Sequence, residues 1–325
     1  MTDVTSAPAP PAALGTPLPR TDVRPDRTNR RRRALVPYLF LAPVATVLLL
    51  ALGYPLVRQV VMSFQEFGLA QQFGTAEPEW VGLDNYAALV DDATMWGVVA
   101  RSLAFCVVNA GLTMVIGTAV ATLMTQLAGP VRLALQTCLL LAWAMPVIAA
   151  MTVWQWLFDT QYGVVNWALV QAGLADFAGH SWLLEPLSFY AVATVIVVWM
   201  SVPFVAFSVY AALTQVSDEV LEAAQLDGAG GWQRFRHIVV PTIAPVLSVV
   251  TLLQIIWDLR VFAQIYYLQG AGGLRSQTDL LGTYIYNLGI GQSNYGMASA
   301  VAMFMLVLTL VLTIGYVRRL AKEED

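Results

Sequence analysis

The sequence predicts an all-α, polytopic membrane protein with six transmembrane helices, and three observations carry that reading. Hydrophobic residues make up 58% of the 325 positions and charged residues 12%, about half the charged share of a typical soluble domain. Apolar runs of about 18 residues or more recur along the chain, each long enough to cross a bilayer at about 1.5 Å per residue. The few charges are sorted between alternate connections, as topology rules for membrane proteins require.

The first 29 residues are rich in Ala, Pro and Thr and lack the apolar core of a secretory signal. Pro8, Pro10, Pro11, Pro17, Pro19 and Pro25 argue against packing, so residues 1–33, ending in the basic run Arg30–Arg33, read as a disordered tail. The apolar run that follows is too long for a signal peptide and reads as a retained first span over about 35–62. Further spans are expected near 98–127, 133–157, 187–213, 243–268 and 297–317. Thr113, Gly117, Ala121 and Thr125 recur every fourth residue in the second, a small-residue seam for close helix packing. Pro146 and Pro203 predict kinks in the third and fourth. Residues 34–320 thus make one six-span domain, followed by a short tail over 321–325. Cys106 and Cys138 both fall in apolar runs and read as buried, reduced side chains.

Arg20, Arg24, Arg27 and Arg30–Arg33 precede the first span, Arg132 lies between the second and third, and Arg234 and Arg236 lie between the fourth and fifth. Arg318, Arg319 and Lys322 follow the sixth, whereas the opposite loops hold only Arg275; Arg58, Arg101 and Arg260 sit in or at the edges of spans. Both termini and both even-numbered connections are therefore expected on the cytoplasmic side of the cell membrane. Glu66, Glu77, Glu79, Asp84, Asp91 and Asp92 crowd the first outer loop, and Trp80, Trp96, Trp154, Trp156 and Trp182 mark an outer aromatic belt. The stretch YGVVNWALVQAGL in the second outer loop has the pattern of a short surface helix.

The longest inner connection, about 217–241, contains EAAQLDGAGGWQRFRHIVVP. Ser217 is placed to cap a helix, with Asp218, Glu219 and Glu222 near its positive end. Gly228 stands where a helix would end in a left-handed residue, and Gly230 and Gly231 allow a change of direction. A second short helix with Phe235 and Ile238 on one face is expected, with Pro241 marking the entry to the fifth span. On these grounds alone, a docking surface and an ordinary re-entry loop are equally good readings.

The segment resembles the EAA loop of ABC-importer permeases of the carbohydrate-uptake, binding-protein-dependent type. Glu222, Ala223, Ala224, Gly228, Ile238 and Pro241 fall at that pattern's spacing, with Val240 where leucine is usual. YLFLAPVATVLLLALGYPLVRQVVMSF, WVGLDNYAALVDD and WDLRVFAQIYYLQGAGG are similar to other parts of sugar-importer permeases, so the likeness covers about 34–320. The resemblance implies the type I importer fold, a second permease subunit, a cytoplasmic ABC ATPase dimer, an extracytoplasmic solute-binding protein and a sugar cargo. It also implies that the helix bearing Glu222 sits in a groove of the ATPase, with Ala223 and Ala224 allowing close approach and Gly228 making the turn.

The chain carries no phosphate-binding loop of its own: its single lysine, Lys322, has no such context. His180 and His237 are expected on opposite sides of the membrane, the first on an outer-loop surface, and no nucleophile elbow or zinc pair is found. A transport subunit with neither cofactor nor metal, embedded in lipid and without a nucleic-acid partner, is expected rather than an enzyme. A charge at mid-bilayer costs roughly 2.5–3.5 kcal/mol on insertion scales, so Asp258 and Arg260 in the fifth span require partners. As a continuous helix, that span would present Gln254 with Asp258 on one stripe and Arg260, Gln264 and Tyr267 on another. Either stripe suits a hydrated pathway, together with Trp154 and Gln155 at the third span's exit; bonding within the bundle fits as well. Glycerol phosphate or another small solute is the alternative cargo, and a membrane-embedded enzyme is a distant third reading.

Overall fold

A computed structural model describes residues 40–323. The tail expected over 1–33, the start of the first span and the last two residues lie outside the described residues. By its internal contacts the chain divides at Leu56. The first apolar helix, α1, runs Phe40–Ser63 and includes a π turn at Leu49–Gly53. That turn immediately precedes Tyr54 and Pro55. Proline donates no backbone hydrogen bond and its ring crowds the carbonyl one turn earlier, and a widened turn relieves both.

From Val57 onward, the elements are a two-stranded antiparallel ribbon, β1 (Gln65–Glu66) and β2 (Glu79–Trp80), then α2 (Asp84–Asp91) and the 34-residue α3 (Ala93–Gln126). Next come α4 (Gly129–Ala144), α5 (Val147–Leu157), the short α6 (Val164–Gln171) and α7 (Pro186–Leu213). The inner connection holds α8 (Asp218–Leu226) and α9 (Gly231–Arg234), and a π turn at Phe235–Val239 leads into α10 (Val240–Leu259). The chain closes with α11 (Ala263–Gly270), α12 (Leu281–Tyr286) and α13 (Tyr295–Glu323). The last helix runs three residues into the stretch expected as a tail.

α3 and α7 form the spine. Phe105 meets Tyr190 with ring centroids 5.8 Å apart, and further along Ala121 packs with Val205 and Val209, so the two helices run parallel. The predicted small-residue seam faces this contact: Thr113, Gly117 and Ala121 are buried, and a Cβ built on Gly117 would lie 2.6 Å from Val205 Cγ1. Thr125 departs from the expectation and is exposed, while its neighbour Met124 is fully buried. α10 runs the other way: Ile243 joins Ala121 and Val209 in one cluster, while the Cys106 thiol reaches the Ile255 carbonyl at 3.6 Å. α13 is parallel to α3, since Met95 and Val98 pack with Ala298 and Val301 and, further along, Met114 and Val115 line one cavity with Val311 and Tyr316. The connections bearing Arg132 and Arg234 therefore lie at one end of the bundle, as the charge pattern predicted.

Two spans differ from a simple rod. The third is broken into α4 and α5, bent by 101°. Met145 precedes Pro146 and takes an extended backbone, ψ 127°, the conformation that proline imposes on its predecessor. The expected kink is therefore a full break. Among the described residues five helices are long and apolar enough to cross a membrane singly, and the count reaches six when the bent pair is taken as one broken span. Pro203, by contrast, lies inside α7, which continues through it. Cys138 is exposed on α4 rather than buried.

The other end is fastened by polar groups. The Asn85 amide donates to the Ser63 and Gln65 carbonyls, both at 3.0 Å, and Tyr86 donates to Ser63 Oγ at 2.7 Å. Arg58 lies 5.1 Å from the centre of the Phe67 ring, a cation–π contact. α6 forms where the surface helix was expected; its Asn166 accepts from Trp182 at 2.6 Å. His180 is half-buried against Trp182 and Phe177 rather than a free surface residue.

Candidate functional site

Two regions hold the residues singled out from the sequence. The first is the inner connection. α8 starts after Ser217, whose backbone is extended (ψ 127°), so the cap position is as expected, but its hydroxyl does not make the expected capping bond. Asp218 and Glu219 occupy the first turn, favourable to the helix dipole. At the other end Gly228 has φ +84°. Its N–H donates to the Gln225 carbonyl at 3.1 Å and Ala229 N–H to Ala224 at 2.9 Å, the paired bonds of a Schellman ending. Gly230 and Gly231 have ordinary backbone geometry, so the change of direction belongs to Gly228 rather than to them.

The second helix expected here is not separate. α9, the π turn at Phe235–Val239 and α10 follow one another without interruption to Leu259, and with α11 they make up the apolar segment Gly231–Gly270. Pro241 does not mark a boundary. The π turn stands two residues before it, as the turn in α1 stands before Pro55, and the same relief applies. The Arg234 guanidinium donates to Gln225 Oε1 at 3.1 Å, tying α8 to α9 across the glycine turn. Glu222, Ala223, Gly228 and Pro241 are exposed, and Ala224 and Ile238 are half-buried. Leu226 is 89% exposed and Trp232 70%, the latter stacked on Phe235 at 5.7 Å.

The second region is the fifth span. Gln254 and Asp258 share a face as their spacing requires, and the Gln254 amide donates to Asp258 Oδ1 at 3.0 Å. Both are sealed in the bundle, at 0% and 3% exposure, with Gln254 Oε1 and Asp258 Oδ2 still unpaired. Arg260 does not continue that helix. α10 stops at Leu259, residues 260–262 are non-helical, and Arg260 is exposed at the break. The second stripe, read on an unbroken helix, is therefore split: Arg260 lies at the end of α10, while Gln264 and Tyr267 belong to α11. Gln264 points its amide at Met200 Sδ, 3.6 Å away. Trp154 packs edge-on against Trp199 at 5.5 Å, and Gln155 donates to the Tyr267 carbonyl at 2.7 Å, pinning α5 to α11.

Sequence reasoning missed a polar lattice at the outer end. Gln269 donates to Asp279 Oδ1 at 2.9 Å, Arg101 donates to the Asp279 carbonyl at 3.2 Å, and Ser102 Oγ accepts from Leu281 N–H at 2.8 Å. Tyr284 donates to Asp92 at 2.9 Å. Burial opposes ionisation of Asp92, but hydrogen bonds from Thr94 and Tyr284 outweigh it and hold the carboxyl below its ordinary range. Burial, with Asp92 nearby, pushes the Tyr284 phenol up to about 12. These partners lie up to 192 residues apart, and no local pattern announces them.

Residues 113–318 match the family described as binding-protein-dependent transport system inner membrane component. The chain belongs to that family. The match includes the inner connection and the fifth span. The diacetylchitobiose uptake system permease protein DasB of Streptomyces coelicolor is 43% identical over 92% of this chain and 90% of that protein. The trehalose/maltose transport system permease protein MalF of Thermococcus litoralis is 31% identical over 88% of this chain and 94% of its own length. Among solved structures, a bacterial ABC transporter importing the acidic polysaccharide alginate has a chain that superposes with a TM-score of 0.77 at 22% identity, over 90% of this chain and 98% of that one. The fold is thus the importer permease fold, and this family member is a multi-pass membrane transport subunit rather than an enzyme.

Proposed function

We propose that this permease carries an oligosaccharide inward, paired with a second permease, served by an external solute-binding protein and driven by a separate ABC ATPase dimer. The cargo class follows from the sugars named for the relatives above. The coupling role rests on one observation. α8 stands exposed with Glu222, Ala223 and Leu226 uncovered, yet is joined through a Schellman turn and the Arg234–Gln225 bond to a helix that runs on into the fifth span. A groove closing on α8 displaces that helix with it, because regular helices transmit force as rigid bodies. ATP binding then moves the spans from inward-facing to outward-facing, and hydrolysis resets them. In this reading residues 34–320 form the permease domain and 217–241 its handle.

The test is uptake in vesicles containing the whole importer. Glu222→Ala and Gly228→Pro are expected to lower ATP-driven uptake about tenfold or more, a loss of about 1.4 kcal/mol of coupling, while the permease still assembles in the membrane. Wild-type uptake by both variants removes the coupling role.

A further inference from the structure

The segments that follow the breaks in the third and fifth spans, α5 and α11, meet toward the outer end, where Gln155 is bonded to the Tyr267 carbonyl. Non-helical backbone at membrane depth is tolerated where it is covered by protein or lines a wet cavity. Around this junction the chain gathers aromatic rings. Phe262 and Tyr266 stack at 5.4 Å with planes 21° apart, and Tyr286 sets its ring against both, at 5.3 and 5.1 Å. Phe262, Tyr266, Tyr267 and Tyr286 are all half-exposed. A cavity of about 310 Å³ opens beside them, lined by Gln155, Tyr266, Tyr267, Gly270, Ala271 and Arg275.

We infer that this cavity is a subsite for one neutral pyranose ring of the transported glycan, with the tyrosines as its platform. The inference rests on the oligosaccharide reading above and names residues for it. A pyranose offers an apolar face of C–H groups and a rim of hydroxyls. The Tyr266 and Tyr267 rings supply the apolar walls, and their phenols both donate and accept. The Gln155 NH₂ is engaged with the Tyr267 carbonyl, and its amide oxygen keeps its acceptor capacity. Arg275 supplies fixed donors and is the sole charged group of the lining. A face turned to lipid tails has no use for an arginine and a glutamine, and a packed core would not leave tyrosines half-open.

The experiment uses the complete importer in proteoliposomes, with diacetylchitobiose and maltose as probes, and reads sugar moved per ATP hydrolysed. Gly270→Leu is the decisive variant. A Cβ at position 270 meets no heavy atom within 4 Å and Gly270 lines the cavity, so a leucine there is expected to take up its space. The ratio is expected to fall about tenfold for Gly270→Leu and about threefold for Tyr266→Ala, where one stacking surface is lost, each 1.4 kcal/mol being a factor of ten. Tyr266→Phe, which keeps the ring, is expected to keep most of the ratio. An unchanged ratio in Gly270→Leu, with the wild type transporting, overturns the subsite and leaves the oligosaccharide reading standing; the rings are then an interfacial belt. A wild-type importer that moves neither sugar but carries another solute overturns both.

Discussion

The α3–α7 spine and the α8–α9 connection are both helical pairs with small residues at their surfaces, and they use them oppositely. Along the spine, Gly117 and Ala121 let two backbones close on one another, and Ile196, Val205 and Met124 are fully buried. At the connection, Ala223 is open while Leu226 and Trp232 stand out as exposed apolar groups. Small residues permit close approach but do not say to what. Burial decides: the spine has its partner within the chain, whereas Glu222, Ala223 and Leu226 of α8 stay uncovered. Stability is therefore concentrated in the spine, whereas the connection is held by a glycine turn, the Arg234–Gln225 bond and the packing of Leu221 and Phe235 on the bundle.

Substitutions separate the two. Gly117→Val is expected to have the largest effect, because the new side chain overlaps Val205 and overpacking costs about 1–3 kcal/mol or more. It should lower the melting temperature of the purified permease and its yield. Gly228→Val forces a side chain into a left-handed backbone at a cost of about 1–2 kcal/mol. That strain is local, so faster amide exchange in α8 and reduced uptake are expected with little change in melting temperature. A melting shift as large as that of Gly117→Val would break the contrast.

Asp92→Ala removes a helix cap, the Thr94 N–H bond at 2.8 Å, and the Tyr284 partner, for about 1 kcal/mol. Its folded carboxyl titrates below its unfolded value, so its stabilisation is present above that value and disappears as pH falls through the lower folded one. Below about pH 4 the wild type should lose more stability than the variant, as a melting series across acid pH would show. Arg234→Ala has the smallest expected effect on stability: an exposed hydrogen bond contributes about 0.5 kcal/mol or less. It should leave melting unchanged and loosen α8 in amide exchange. Protection of α8 at the wild-type level would show that the bond carries no restraint.

Much of this was legible because it depends on local composition. Apolar runs gave the spans, arginines their sidedness, and Gly228 its left-handed turn, since few residues other than glycine reach φ +84° without strain. Gln254 and Asp258 shared a face because four residues make about one helical turn. Legibility failed where a neighbour intervened. Pro146 and Pro203 are the same residue in similarly oily runs, yet one breaks its helix and the other does not. Pro241 looked like a boundary and is absorbed by a π turn. The break at 260–262 gave no signal strong enough to split the Arg260 stripe, and the Arg101, Gln269 and Asp279 lattice joins residues far apart in the chain.

Hydrophobicity, charge placement and one glycine-jointed motif were enough to determine a multi-pass membrane subunit with an exposed inner connection, because the bilayer screens each segment by itself, for length and polarity. Which prolines break, which carboxylates are sealed and which tyrosines stay open was decided only by the packed bundle. Those outcomes depend on the space and hydrogen-bond partners that distant segments supply.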